Sequence, residues 1–208
     1  PRHHLLPLIN EILDLPRIEG GHAAISSEVV AIEPVLKDCM TTVSVMAEQR
    51  ELSTSIKMDA KGPILCDPVR LKQVLLNFLT NAIKYNRPGG SVAISSEILE
   101  DRFLRIVIED TGFGIAAANF DKIFEPFERM GQEKSGIEGT GIGLTITKRI
   151  IEAMGGAVGF FSEFGTGSRF WFDLPLAPEG ADGKPLPSSR KASLEQEEQA
   201  NFNKSIRK

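Results

Sequence analysis

The sequence predicts an α/β protein, a two-layer sandwich with its helices on one face of a sheet. Three observations carry this. Short runs rich in β-branched and aromatic residues recur along the chain, each bounded by Gly, Pro, Asn or Asp. Longer segments repeat apolar residues at helical spacing. The two patterns interleave along the chain instead of segregating, as expected of one mixed domain. A length of 208 residues allows one well-buried domain with appendages.

Taken in order, RHHLLPLINEILDLPRIEGG predicts an amphipathic helix with Leu5, Leu8, Ile9, Ile12 and Leu13 on its stripe. Pro16 and Gly20-Gly21 end it. SEVVAI follows as a strand, EPVLKDCMTTVSVMAEQRE as a helix, and LSTSIKM and GPILC as short strands. The helix DPVRLKQVLLNFLTNAIKYN has the best-marked start, with Asp67 as N-cap and Pro68 in the first helical position. Its core stripe is Leu71, Leu75, Phe78, Leu79 and Ala82. RPGG is a turn, SVAISSEI and FLRIVIED are strands, and the second strand runs straight into TGFG. A loop containing FEPFERMGQEKSGIEGTG leads to the helix IGLTITKRIIEAM. GAVGFFSE and GSRFWFDLPL form a terminal hairpin across a Gly-rich turn. The tail from Ala177 is Pro/Gly/Ser-rich and then charged, which fits a linker or a frayed end.

Composition narrows the partners. A net charge of −4 argues against nucleic acid. No run approaches the ~20 apolar residues of a membrane helix and no signal peptide is visible, so no membrane contact is expected of this segment. Cys39 and Cys66 lie in apolar surroundings without metal-ligand spacing, consistent with reduced thiols and a cytoplasmic location; a membrane anchor elsewhere in a longer protein is compatible with this. The chain opens on Pro1 and reads as a piece of something larger.

Three clusters could carry chemistry. Asn77, Asn81 and Lys84, at i, i+4 and i+7, fall within about 60° of one another on a helix flank. Alone, they are better described as a solvated face. On FLRIVIED, Leu104, Ile106 and Ile108 share a face, and the next residue in that row is Asp110. A carboxylate there needs hydrogen-bond donors, and the exocyclic amine of a nucleobase would serve; a strand-end acid turned to water is the alternative. Gly112 and Gly114 let a flat ligand approach the backbone. Finally, Gly139, Gly141 and Gly143 stand at the mouth of a helix, where backbone N–H groups and the helix dipole suit phosphates. Neither a dinucleotide-binding unit nor a P-loop fits the pattern.

In their order, NFLTNAIKYN, DTGFG, FEPF, GTGIGL and FGTGS resemble the N, G1, F, G2 and G3 boxes of sensor histidine kinases. Their ATP-binding domain is shared with gyrase, heat-shock protein ninety and the mismatch-repair ATPases. The resemblance covers 26–176 as a catalytic ATP-binding domain. HHLLPLINEILDLPRIEGG is similar to the end of the second helix of the kinase dimerisation domain, which makes 1–21 a remnant of that helix and its hinge and 177–208 a linker or flexible tail. The implied architecture is the Bergerat-type fold, a mixed sheet of about five strands packed on three helices, with ATP and Mg²⁺ as cofactors. By this resemblance Asn81 coordinates Mg²⁺ through its amide oxygen, Asn77 assists through the metal or a bound water, and Lys84 meets the phosphates. Asp110 reads adenine, and Tyr85, Thr111, Gly112, Gly114, Ile115 and Thr166 belong to the nucleotide pocket. Gly139, Thr140, Gly141, Gly143 and Leu144 close over the phosphates. Phe124 and Phe127 anchor the near end of a lid running from about Glu128 to Thr140, unless they are plain core aromatics, and Arg129 and Lys134 reach the phosphates or stay solvated.

Relatives that hydrolyse ATP place a glutamate where this chain has Asn77. An amide cannot take a proton from water, so the resemblance implies a site that holds ATP and delivers its γ-phosphoryl group elsewhere. His3, His4 and His22 are the only histidines, and none is followed by the acidic residue and Leu-Arg-Thr-Pro run of an acceptor helix. The acceptor helix is therefore expected to be missing, and the piece to be monomeric and unable to label itself. Implied partners are the histidine-bearing dimerisation helix of the full kinase and the receiver domain of a response regulator. Glu138, where a glycine often precedes the GTG core, and Pro16 depart from the family pattern. Two other classes compete: a degenerate domain that only docks a response regulator, and a self-sufficient ATPase, which Asn77 disfavours.

Overall fold

Alternation along the strands sets the architecture, and a computed structural model describes it for residues 26–128 and 139–178. Its elements are β1 (Glu28–Val30), α1 (Ile32–Glu48), β2 (Ser53–Lys57), β3 (Ile64–Cys66), α2 (Pro68–Lys84), β4 (Ser91–Leu99), β5 (Phe103–Asp110), α3 (Gly143–Ala153), β6 (Ala157–Glu163) and β7 (Gly167–Pro175). Five strands form one sheet in the order β2-β4-β5-β7-β6. The β2–β4 pair is parallel and the other three are antiparallel, so the sheet is mixed, as expected. β1 and β3 make a separate two-stranded ladder, to which Leu176 adds a single bridge at Ile64.

The inward row of β5, Leu104, Ile106 and Ile108, is almost fully buried, with Phe172 and Leu174 beside it on β7. Helices α1, α2 and α3 cover this face. The whole expected stripe of α2 is buried, and Phe78 stacks on Phe172 with ring centroids 5.9 Å apart. The start of α2 follows its sequence signal: Asp67 Oδ1 accepts from the backbone N–H of Val69 at 2.9 Å and of Arg70 at 3.0 Å. Its second oxygen accepts from the Ser26 N–H at 3.1 Å, tying the incoming chain to the same cap. Cys39 and Cys66 are free and buried in this core. Burial pushes their thiols up, to about 11 and about 12.

On the opposite face of the sheet, Arg105 forms a bidentate pair with Asp173 at 2.7 and 2.9 Å and lies over the Trp171 ring at 3.9 Å. This polar layer leaves the cleft to the helical side. One element escaped the sequence: a 3₁₀ turn at Ala117–Lys122, which has neither an apolar period nor a side-chain cap. Among the described residues no helix is long and apolar enough to cross a membrane. The expected N-terminal helix, the three histidines, Arg129, Lys134, Glu138 and most of the tail lie outside the described residues.

Candidate functional site

Helix α2 runs along the floor of a cleft of about 290 Å³. Asn77, Asn81, Lys84 and Tyr85 line it from the helix, and Asp110, Gly114 and Ile115 from the end of β5. Gly139, Thr140, Gly141, Gly143 and Leu144 line it from the glycine-rich approach to α3. From Asn77 to Tyr85 is eight helical residues, about 12 Å of floor. The cleft therefore brings together twelve of the sixteen residues singled out from the sequence.

The other four stand just outside. Thr111 follows Asp110 on a strand of period two and so faces away; its hydroxyl oxygen accepts from the Ser91 N–H at 2.8 Å. Gly112 sits behind the acid, where its N–H donates to Asp110 Oδ1 at 2.8 Å. Any Cβ on Gly112 would come within 2.3 Å of the Tyr85 carbonyl oxygen, so only glycine lets the chain turn this tightly against α2. Phe124 packs edge-on against Phe160 below the cleft, and its carbonyl accepts from the Thr145 hydroxyl at 2.9 Å. Thr166 is exposed in the β6–β7 turn, while its neighbours Phe164 and Ser168 line the cleft. Phe127 is 68% exposed with a positive φ of 67°, and its N–H donates to the Gly141 carbonyl at 2.9 Å, so it is no core aromatic.

At one end of the cleft, the Asp110 carboxyl is only 8% exposed. Burial raises it to about 6, against the pull of backbone hydrogen bonds from Gly112 and Ser168. Ser168 lies directly across the ladder from Asp110. Proton counting fixes what it offers. The Ser162 hydroxyl accepts from the Ile115 N–H at 2.8 Å and donates its one proton to the Gly167 carbonyl at 2.9 Å. The Ser162–Ser168 contact at 3.0 Å then requires Ser168 as donor, which leaves Ser168 only lone pairs for the cleft. A carboxylate and an acceptor-only hydroxyl suit an amine.

The other end is built differently. Among the described residues, neither the Asn81 amide nor the Lys84 ammonium makes a hydrogen bond or ion pair with protein. Helix α3 starts at Gly143 with no side-chain cap, so its first N–H groups are open to an anion. Asn77 meets that helix start closely: a Cβ on Gly143 would lie 2.5 Å from Asn77 Oδ1. The Asn77 Nδ2 donates to the Thr147 hydroxyl at 2.7 Å. Among the described residues no three of His, Cys, Asp and Glu converge as a metal site. The amides of Asn77 and Asn81 both line this part of the cleft, and their hard oxygen donors fit a magnesium ion that brings most of its own ligands as phosphates and water.

Cleft residues that the sequence did not reveal include Phe113, Asn119, Ile123, Phe164, Ser168 and Phe170. Phe170 belongs to the inward row of β7, but only strand register puts it and Ser168 beside Asp110.

Fold and cleft together define an α/β nucleotide-binding domain. The chain belongs to the family of histidine kinase-, DNA gyrase B- and HSP90-like ATPases, whose model matches residues 66–178. It is 39% identical to the sensor histidine kinase GacS of Pseudomonas protegens, over 94% of this chain and 23% of that protein. Full-length ShkA in complex with AMPPNP is similar in structure, with a TM-score of 0.72 and 34% identity over 88% of this chain and 37% of that one. The Acinetobacter baumannii histidine kinase AdeS gives a TM-score of 0.70 and 26% identity over 84% and 79%. The chain spans about a quarter of the length of GacS from Pseudomonas protegens and from Pseudomonas syringae.

Proposed function

We propose that residues 26–176 are the catalytic ATP-binding domain of a sensor histidine kinase, which passes the γ-phosphoryl group of Mg-ATP to a histidine on a dimerisation helix. A receiver domain of a response regulator would take it from there, in the cytoplasm. The observation that carries this reading is one cleft, with an acceptor-lined buried acid at one end and, at the other, an amide and an ammonium without partners among the described residues, beside a helix start with no side-chain cap.

Asp110, with Ser168, accepts from the base amine and fixes the orientation of the nucleotide. Lys84 neutralises phosphate charge as a point cation. Asn81 and Asn77 hold the ion through their amide oxygens; magnesium, when bound, spreads the charge of the transferring group. The N–H groups at the start of α3 fix the terminal phosphates. Asn77 has no basic lone pair with which to deprotonate water, so the site keeps ATP intact until an external nucleophile reaches it.

Calorimetric titration of the chain with ATP and Mg²⁺ tests this directly. Saturable binding is expected, with slow phosphate release and no acid-labile label on the chain itself. Label is expected on an added dimerisation domain bearing its histidine. The absence of any saturable signal would favour a docking module, and rapid steady-state hydrolysis would favour an independent ATPase.

A further inference from the structure

We propose that Thr147 is a positioning residue for the phosphate end of the cleft: its buried hydroxyl holds the Asn77 amide so that the oxygen, not the nitrogen, faces the ion. This rests on reading the cleft as a Mg-ATP site. Thr147 lies on α3, 70 residues away in sequence and 2% exposed, and its Oγ1 is 2.7 Å from Asn77 Nδ2.

Distance alone leaves an amide free to flip, because a hydroxyl both donates and accepts. A second contact fixes the direction. The Asn77 oxygen lies against Gly143, the first residue of α3, where a Cβ would come within 2.5 Å of it. That helix start has no side-chain cap, so its partial positive charge favours the amide oxygen and disfavours the amide nitrogen. Oxygen toward the helix start and nitrogen toward Thr147 is the one arrangement that satisfies both neighbours. Gly143 admits the oxygen and Thr147 retains the nitrogen, so the amide meets its ion without paying to reorient. Thr147 touches no ligand in this scheme and acts only through Asn77.

Thr147→Val keeps the shape of the side chain and removes the hydroxyl; Thr147→Ser keeps the hydroxyl. ATP binding is measured for the wild type and both variants across a range of Mg²⁺ concentrations, and again in EDTA. The expected result is a Mg²⁺ requirement raised about 3- to 10-fold by Thr147→Val, the effect of one net hydrogen bond. Affinity in EDTA should be unchanged, and Thr147→Ser should behave as wild type. An unchanged Mg²⁺ requirement in Thr147→Val overturns the proposal, as does an equal loss with and without the metal, which would mean only disturbed packing. Wild-type binding that ignores Mg²⁺ would instead sink the underlying metal assignment. A further measurement needs no disturbance of Thr147: the Asn77 side-chain NH₂ signals, identified by their loss in Asn77→Asp, should exchange slowly with solvent in the free chain. Fast exchange there also overturns the proposal.

Discussion

The ionised Asp110 makes the unliganded domain less stable at neutral pH than in mild acid, and replacing it exposes this. The acid moves from an ordinary 3.8 in the unfolded chain to about 6 in the fold, because burial disfavours its charged form. Between these values the folded state binds more protons than the unfolded one, so stability falls as pH rises through the window. The movement corresponds to about 3 kcal/mol at 1.36 kcal/mol per pH unit, and at 8% exposure little of it is screened by solvent. Asp110→Asn removes the titration. It also misplaces one amide N–H against a backbone donor, from Gly112 or Ser168, a cost that does not vary with pH. The assay is chemical unfolding of both proteins without nucleotide from pH 4 to pH 7.5. The variant should gain about 2.4 kcal/mol relative to wild type across that range, the rest of the effect lying below pH 4, whatever its offset at the acid end. A difference that stays flat, or slopes the other way, would refute the claim that this carboxylate is held charged against its surroundings. ATP affinity of the wild type should weaken below pH 6 as the acid takes up its proton, and that of the variant should already be low.

Gly143→Ala should lower Mg-ATP affinity on the order of tenfold while the unfolding midpoint hardly moves, since the new methyl would meet Asn77 Oδ1 at 2.5 Å but alanine suits a helix; titration and denaturation separate the two effects. Asp67→Ala should cost about 1–2 kcal/mol in chemical unfolding, because the residue caps α2 and also holds the Ser26 N–H. Cys39 and Cys66 should resist Ellman's reagent at pH 8 in the native chain and react at once in denaturant. With thiols at about 11 and about 12, the thiolate fraction is about one in a thousand or less; rapid native labelling would contradict their burial.

How far the sequence could be read depended on whether each signal was local. Helix α2 was legible in full because cap, proline and stripe all sit within one segment, and its polar flank lines the cleft as expected. Asp110 was legible because Leu104, Ile106 and Ile108 mark one buried row of its strand, but the same period of two turns Thr111 to the far side. The family boxes mark a stretch of chain without saying which members face inward. In FGTGS the turn exposes Thr166 and sends Phe164 and Ser168 to the cleft. Ser168 could not have been singled out, since what recommends it is register opposite Asp110 and a proton chain through Ser162. Thr147 was invisible for the same reason: its partner lies on another helix.

The two ends of the cleft reach readiness by opposite routes. At the base end the Gly112 and Ser168 N–H groups donate to the acid, those of Thr111 and Phe113 to backbone carbonyls and that of Ile115 to Ser162, and the hydroxyl chain runs in one direction. That end exists before any ligand arrives, and its tuning is a matter of protonation. At the phosphate end Asn81 and Lys84 have no partners among the described residues, and α3 begins without a side-chain cap. Only Asn77 is held, by Thr147 on one side and the Gly143 backbone on the other. One ammonium and an open helix start in a solvent-accessible cleft make this end sensitive to salt and metal. A nucleotide bridging both ends must therefore feel two independent controls. Acid should loosen its base without changing the Mg²⁺ requirement, and metal depletion should release its phosphates without moving the pH at which the base lets go.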